Sequence, residues 1–381
     1  MRRKPAENRT KPNVALIAGV LSSLVVATVQ AEDAGQIPKS IAWKACMNQK
    51  PAWYGGAAAI RIAGNVLLYQ RDGGGWPKNT DMAAVLTTEQ QRQLQRDRRR
   101  NDATIDNGAT CRPLQFLARV HHATGEARFA DACLRGIDYL LAAQYDTGGW
   151  PQFYPDPSGY HAYITFNDNA MINVMRLLDQ VARGDGDFAF VEAPRRARAA
   201  AAVARGIECI LKCQIIVDGR RLGWCAQHDP VSFEPRPART YEKASLSGSE
   251  GAGIVAYLME IEPPSPRVIE AVEAAVRWFD EVKITGLRVA RQPAPDTPRG
   301  YDTIVVADPD APPIWARFYE IGTDRPIFCS RDGVVRYRLS DISYERRNGY
   351  SWYTGGPADL LNNKYPRWRA QWTPDRNVLP R

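Results

Sequence analysis

A tryptophan recurs at positions 76, 150 and 224, at intervals of 74 and 74 residues, each time behind glycine: GGGWP at 73–77, GGWP at 148–151 and LGW at 222–224. Upstream of each copy lies a run with helical apolar spacing that ends in glutamine, at Gln70, Gln144 and Gln214. Downstream, after a loop, each copy opens another helix, at Asp106-Asn107, Asp168-Asn169 and Ser249-Glu250. A unit of two helices and one turn cannot bury its own apolar face, so units repeating at this period must stack on their neighbours. The expected fold is therefore mainly α: an α/α toroid-like helical repeat of about three helix-pair cycles. In such an array the three loop-to-helix junctions open on one side.

Taken in order, Ser40–Gln49 and Ala57–Gln70 read as helices, the second with Ile60, Ala63, Val66 and Leu67 at helical spacing. A charged helix follows from Thr87 to Arg100, and Thr104 and Asp106 read as side-chain caps of the next one. That helix closes at Thr124-Gly125 and its partner runs from Ala127 to Gln144. The second cycle places an aromatic loop (Phe153, Tyr154, Tyr160, Tyr163) before a helix from Asp168 to Ala182, and an Ala-rich helix at 194–213 follows. The third runs through Ser247–Ile261 to a helix at Pro266–Val282. From 284 the texture changes to proline-punctuated β-like pieces at Leu287–Ala290, Thr303–Val306, Ala316–Tyr319 and Val334–Tyr337. The expected domains are thus 32–283, helical, and 284–381, an irregular, partly β portion that packs over the helices and completes a cleft.

Residues 1–31 read as a secretory signal. Basic residues Arg2, Arg3, Lys4, Arg9 and Lys11 precede an apolar run from Val14 to Ala27, and small residues frame a cut near Ala31. An uncleaved anchor is the alternative; no other stretch is long and apolar enough to span a bilayer. Cleavage takes the net charge from +8 to about +4, because the leader holds five basic residues and one acidic one. A modest positive balance without a run of five Lys or Arg suits a polyanionic substrate and gives no footprint for nucleic acid. Seven cysteines show no CxxC pair and no zinc spacing. In an exported chain they could pair, with at least one thiol left over.

Asp106 and Asp168 fall at what read as equivalent helix starts. Three roles stay open for them: helix N-caps, ligands of a hard cation with Asn107, Asn167 and Asn169 as further oxygens, or a general acid and base for glycoside hydrolysis. Arg239 lies in the loop ahead of the third junction, followed by Tyr241 and the hydroxyls of Ser245, Ser247 and Ser249. None of the four histidines sits in a nucleophile or HExxH context. No serine-hydrolase elbow, P-loop or dinucleotide fingerprint occurs.

Eight segments carry a resemblance: GGWPKN with TIDNGAT (74–79, 104–110), GGWPQFYP with YITFNDNAM (148–155, 163–171), PARTYEKASLSGSE (237–250), and RFYE, RPIFCSRDG and YERRNGYSWY (317–320, 325–333, 344–353). Together they resemble the motif set of the family 10 pectate lyases over roughly residues 40–360. The resemblance implies a secreted, Ca²⁺-dependent enzyme on an α/α scaffold that cleaves de-esterified polygalacturonate by β-elimination. It assigns Arg239 as the base, Arg317, Arg331, Asp106 and Tyr241 to substrate, and Asp168 and Asp106 to metal. A monomer is expected.

The chemistry agrees with the residue types. A chain of uronate carboxylates calls for arginines and for acidic residues that share a cation with it. The C5 proton becomes acidic only when the adjacent carboxylate is neutralised. An arginine base requires surroundings that favour its neutral form, which predicts activity rising toward alkaline pH. The alternatives from other classes are an α/α-toroid glycoside hydrolase using Asp106 and Asp168, and a non-catalytic binding protein for pectic oligomers.

Overall fold

The first three outer helices end in the same three-bond lock. In the computed structural model, which describes residues 41–184 and 186–380, the side-chain amide of Gln70 donates to the carbonyls of Gly74 (2.8 Å) and Ala132 (2.9 Å). Gln144 does the same to Gly148 and Ala202 (both 2.9 Å), and Gln214 to Leu222 (2.9 Å) and Ala271 (3.0 Å). One glutamine therefore satisfies its own turn and the next outer helix at once. Beside it, the fully buried indoles of Trp76, Trp150 and Trp224 donate to the carbonyls of Val66, Leu140 and Ile210 (2.8, 2.8 and 2.7 Å).

Glycine is required where the turn passes the neighbouring helix. Gly74 and Gly148 both have φ of +99°, and a Cβ there would lie 2.3 Å from the Arg135 carbonyl and 2.2 Å from that of Arg205. No L side chain fits either position.

The helices are α1 Ala57–Tyr69, α2 Thr88–Asp97, α3 Cys111–Thr124, α4 Ala127–Ala142, α5 Ala170–Arg183, α6 Ala193–Cys213, α7 Glu250–Leu258 and α8 Pro266–Glu281. Helices α3, α5 and α7 touch in succession as an inner layer, while α1, α4, α6 and α8 form an outer one. The short loops make α3–α4, α5–α6 and α7–α8 antiparallel hairpins. The expected charged helix is α2, opened by a capping box in which Thr87 and Gln90 exchange side-chain and backbone bonds. The expected helix at 40–49 is instead two short 3₁₀ turns, Trp43–Asn48 and Pro51–Gly55. Pro51 lacks the N–H that would carry an α-helix across them.

A fourth tryptophan turn lies where the sequence looks irregular. Trp315 is 1% exposed and donates from Nε1 to Phe279 O (2.8 Å) near the end of α8, as its three counterparts do to theirs. The β-like segment before it is an inserted hairpin, Leu287–Pro293 paired with Tyr301–Ala307. The chain after it returns to helix over 356–372, packed on α7 and α8. The sequence hides this cycle because the hairpin stretches its spacing and no Gly-Gly marks the turn.

All seven cysteines are buried free thiols, so none forms a disulfide. Among the described residues no helix is long and apolar enough to cross a membrane. The expected leader, 1–31, lies outside the described residues.

Candidate active site

Minimal strand pairings tie each junction to the next tryptophan turn. Thr104 bridges Phe153, Ile164–Thr165 pairs with Gln227–His228, and Leu246–Ser247 pairs with Phe318–Tyr319. The 3₁₀ turns Asp106–Gly108 and Asn167–Asn169 pack on each other, and the second packs on α7. The three junctions thus lie side by side on one rim, as the repeat implied.

Their register corrects one expectation. The N–H groups of Thr104, Thr165 and Ser247 bond the carbonyls of Trp76, Trp150 and Trp224 (3.0, 3.1 and 2.7 Å), which makes those three residues equivalent. Counting onward, Asp106 matches Asn167 and Ser249, while Asp168 matches Asn107 and Glu250. The two aspartates are therefore offset by one place.

Neither aspartate caps a helix. No side-chain cap bond opens α3 or α5, so that reading is set aside. Asn107, Asp168 and Asn169 all have left-handed backbone (φ of 52°, 50° and 57°). Asn and Asp tolerate that region better than other non-glycine residues, yet successive left-handed residues store strain of the kind that clusters at functional sites.

At the second junction three oxygens converge on one nitrogen. Arg317 Nη2 lies 2.5 Å from Glu250 Oε1 and 3.3 Å from both Asn167 Oδ1 and Asp168 Oδ1. Glu250 is 2% exposed, and its other oxygen accepts from Ser247. Burial alone would lower the Arg317 pKa, but Glu250 and the other nearby acidic groups hold it above the ordinary guanidinium value. Arg317 reaches this place because the fourth turn pairs with the third junction: Gly248 N–H donates to Arg317 O at 3.0 Å, and a Cβ on Gly248 would lie 2.1 Å from Ala316 O.

At the first junction Asp106 Oδ2 accepts from Lys78 Nζ at 2.7 Å. Its Oδ1 is buried without a hydrogen-bond partner, as are Asn169 Oδ1 and Arg317 Nε. Asn169 Oδ1 packs against α7 at Gly253, whereas Asp106 Oδ1 and Arg317 Nε belong to the rim and call for an explanation. His161 faces the same region: burial first, then the charge of Lys78, lowers its pKa, and Asp106 and Arg239 also act on it.

Arg239 is gripped by Glu242, with Nε–Oε2 at 2.7 Å and Nη2–Oε1 at 2.6 Å. Its side chain is 44% exposed while that of Glu242 is only 6%. Burial would depress the Arg239 pKa, but the hydrogen bond and charge of Glu242 outweigh it and raise it above the ordinary value. The direct partner of Arg239 in this state is thus a carboxylate, which favours the charged form and not the neutral one that an arginine base requires. Tyr350 joins the two halves of the rim. Its hydroxyl donates to Glu242 (2.7 Å), and its ring lies under the guanidinium groups of Arg317 (4.8 Å) and Arg239 (5.8 Å).

Tyr241 and Arg331 stand one layer back. The Tyr241 ring is 4% exposed beneath Arg346, Arg239 and Arg331 (4.5, 5.1 and 5.7 Å), so it supports those guanidinium groups and presents little surface of its own. Arg331 is shared with Glu345 at 3.1–3.2 Å.

Sequence reasoning missed Lys78, His161, Glu242 and Tyr350 as site residues and passed over Glu250. Two had a signal: Lys78 and Arg317 each lie two places after a tryptophan of the repeat, and Glu250 falls three places after the junction Ser or Thr. Tyr350 lies inside the segment YERRNGYSWY (344–353) but had no role assigned to it.

Known proteins bear on this arrangement. Two solved structures superpose with a TM-score of 0.70 at 33% identity, both covering 86% of this chain: a family 10 polysaccharide lyase from Cellvibrio cellulosa (94% of its chain) and a mutant of it in complex with trigalacturonic acid (96%). A search of curated proteins finds no match. Fold, rim and these likenesses define a polysaccharide lyase. More particularly, the pectic acid lyase family model matches residues 70–361, and the chain belongs to that family.

Proposed function

We propose that this lyase cleaves de-esterified polygalacturonate by calcium-dependent β-elimination, with Arg239 as base, releasing 4,5-unsaturated oligogalacturonides. The observation that carries the reading is the convergence of Asn167, Asp168 and Glu250 oxygens on Arg317, beside Arg239 and over a shared Tyr350. The trigalacturonic acid held by the Cellvibrio relative supports a uronate chain as substrate.

The donor set fits a hard cation. Asp106, Asp168, Glu242 and Glu250 supply hard oxygens between the cationic groups of Lys78, Arg239 and Arg317. Among the described residues no three acidic, imidazole or thiol side chains stand together as a ready metal site, so a bound cation would complete its shell with uronate oxygens of the substrate. The orphaned Asp106 Oδ1 is an anionic oxygen of the type calcium takes. Asp168 and Asp106 would hold it, with Glu250 and Asn167 as further donors. Bound there, calcium would neutralise a uronate carboxylate and so acidify the adjacent C5–H.

Arg317 then exchanges its bonds to the acidic oxygens for a substrate carboxylate, with Arg331 gripping another. Arg239, aimed by Glu242 and half exposed, accepts the C5 proton; the C5–H electrons form the C4=C5 bond as the C4–O4 bond breaks, and O4 departs on the shortened chain with the bonding pair and takes a proton from water. Because Glu242 keeps Arg239 protonated in the resting state, activity rises with pH. The chain acts as a monomer after export and cleavage near Ala31.

Ultraviolet absorbance of the unsaturated product on polygalacturonate tests this. Calcium should support it, EDTA should abolish it, and Arg239→Ala should lower it by at least ~10²-fold. Reducing ends without unsaturation would make the protein a hydrolase, and binding without turnover a carrier; either result overturns the reading.

A further inference from the structure

We propose that the hairpin Leu287–Pro293/Tyr301–Ala307 carries a second binding site for uronate carboxylates, outside the rim, which holds a distal stretch of the polymer. The inference rests on the pectate reading above. A groove of about 600 Å³ runs between this hairpin and the segment 347–353, within the roughly 300–1,000 Å³ of small-molecule sites. Four arginines line it, Arg291, Arg299, Arg317 and Arg347, and no lining residue is acidic. Tyr350 and Tyr353, both half-buried, supply aromatic surface on the same wall.

The groove is continuous with the rim, because Arg317 and Tyr350 belong to both. Its charge balance identifies the ligand. Arg347 is matched from behind by Asp302 (2.6 and 2.8 Å), and Arg317 by Glu250 and Asp168. Arg291 and Arg299 have no ion pair among the described residues. Both are set by Tyr301 instead: the Arg291 guanidinium lies 4.5 Å over its ring, and Arg299 Nη1 lies 3.5 Å from its hydroxyl. Glu345, whose charge also acts on Arg299, is already bound by Arg331 and Arg346.

Two uncompensated guanidinium groups beside aromatic surface, in a groove free of acids, suit a chain that presents a carboxylate on every sugar. They do not suit a neutral glycan, which would leave both charges unmatched. The hairpin interrupts the fourth cycle of the repeat, so it can bear such a site without disturbing the Trp315 turn.

The test compares the full-length protein with R291A/R299A, both exposed positions. With turnover removed by Arg239→Ala in both, calorimetry should show affinity rising from trigalacturonate to longer oligomers in the parent. R291A/R299A should lose roughly three- to tenfold on the long oligomers and nothing on the trimer, R291K/R299K should keep most of the gain, and salt should erase it. Equal loss at both lengths, or no loss on long oligomers, overturns the proposal. Absence of unsaturated product from the wild type would instead overturn the lyase reading, and these binding curves would still report on the hairpin.

Discussion

Glu242 sets both the aim and the resting charge of Arg239. Removing it acts in two directions that separate in a pH profile. Glu242→Gln loses the bidentate charge-assisted grip, so kcat should fall by roughly 10²-fold. It also removes the group that raises the Arg239 pKa, so the alkaline rise in activity should move to lower pH. An unchanged profile would mean that another group supplies the base. Tyr350→Phe keeps the ring beneath both arginines and deletes only the hydroxyl bond to Glu242. It should cost less than Tyr350→Ala, about 0.5–1.5 kcal/mol in transition-state stabilisation, read from kcat/KM. Asp106, Asp168 and Arg239 were legible as chemistry-bearing residues because strong local motifs flank them. Glu242 and Tyr350 were not, since they are 108 residues apart and meet only across the fold.

The tryptophan turns are the elements on which the geometry rests. Gly148→Ala must place a Cβ 2.2 Å from Arg205 O at a φ of +99°, so it should destabilise the protein by about 2–3 kcal/mol, measured as a lower denaturant midpoint. The same change at Gly125, also left-handed at φ +72° but with nothing near its Cβ, should cost less. The hairpin over the groove is held by a different device. Arg347 lowers the Asp302 pKa to about 2. A carboxyl whose folded pKa is depressed stabilises fully above its unfolded value of ~3.9 and loses that stabilisation as pH falls through its folded value. Between about pH 4 and pH 2 the hairpin should therefore loosen, seen as faster hydrogen exchange over 301–307 than in the helices. Helices were legible from their spacing and caps; the two 3₁₀ turns at 43–55 were not, because proline and aromatic residues override an apolar period that reads as helical.

Across the whole molecule, the sequence alone determined that helix pairs repeat and that their junctions share one side. It did so because the Gly-Trp turn and the terminal glutamine are local devices, each specified by a few adjacent residues. It also placed Asp106, Asp168 and Arg239 in the loops that face that side. Register and partners were decided only by the tertiary structure. One residue of offset between Asp106 and Asp168 is invisible until backbone bonds to Trp76 and Trp150 align them. The fourth cycle appears only when Trp315 finds Phe279, 36 residues away, across an inserted hairpin. Arg317 meets Asp168 from 149 residues away because a two-residue strand pairing fixes it there. Such contacts depend on which distant segments can pack without leaving a buried polar group unpaired, and no window of sequence contains that information.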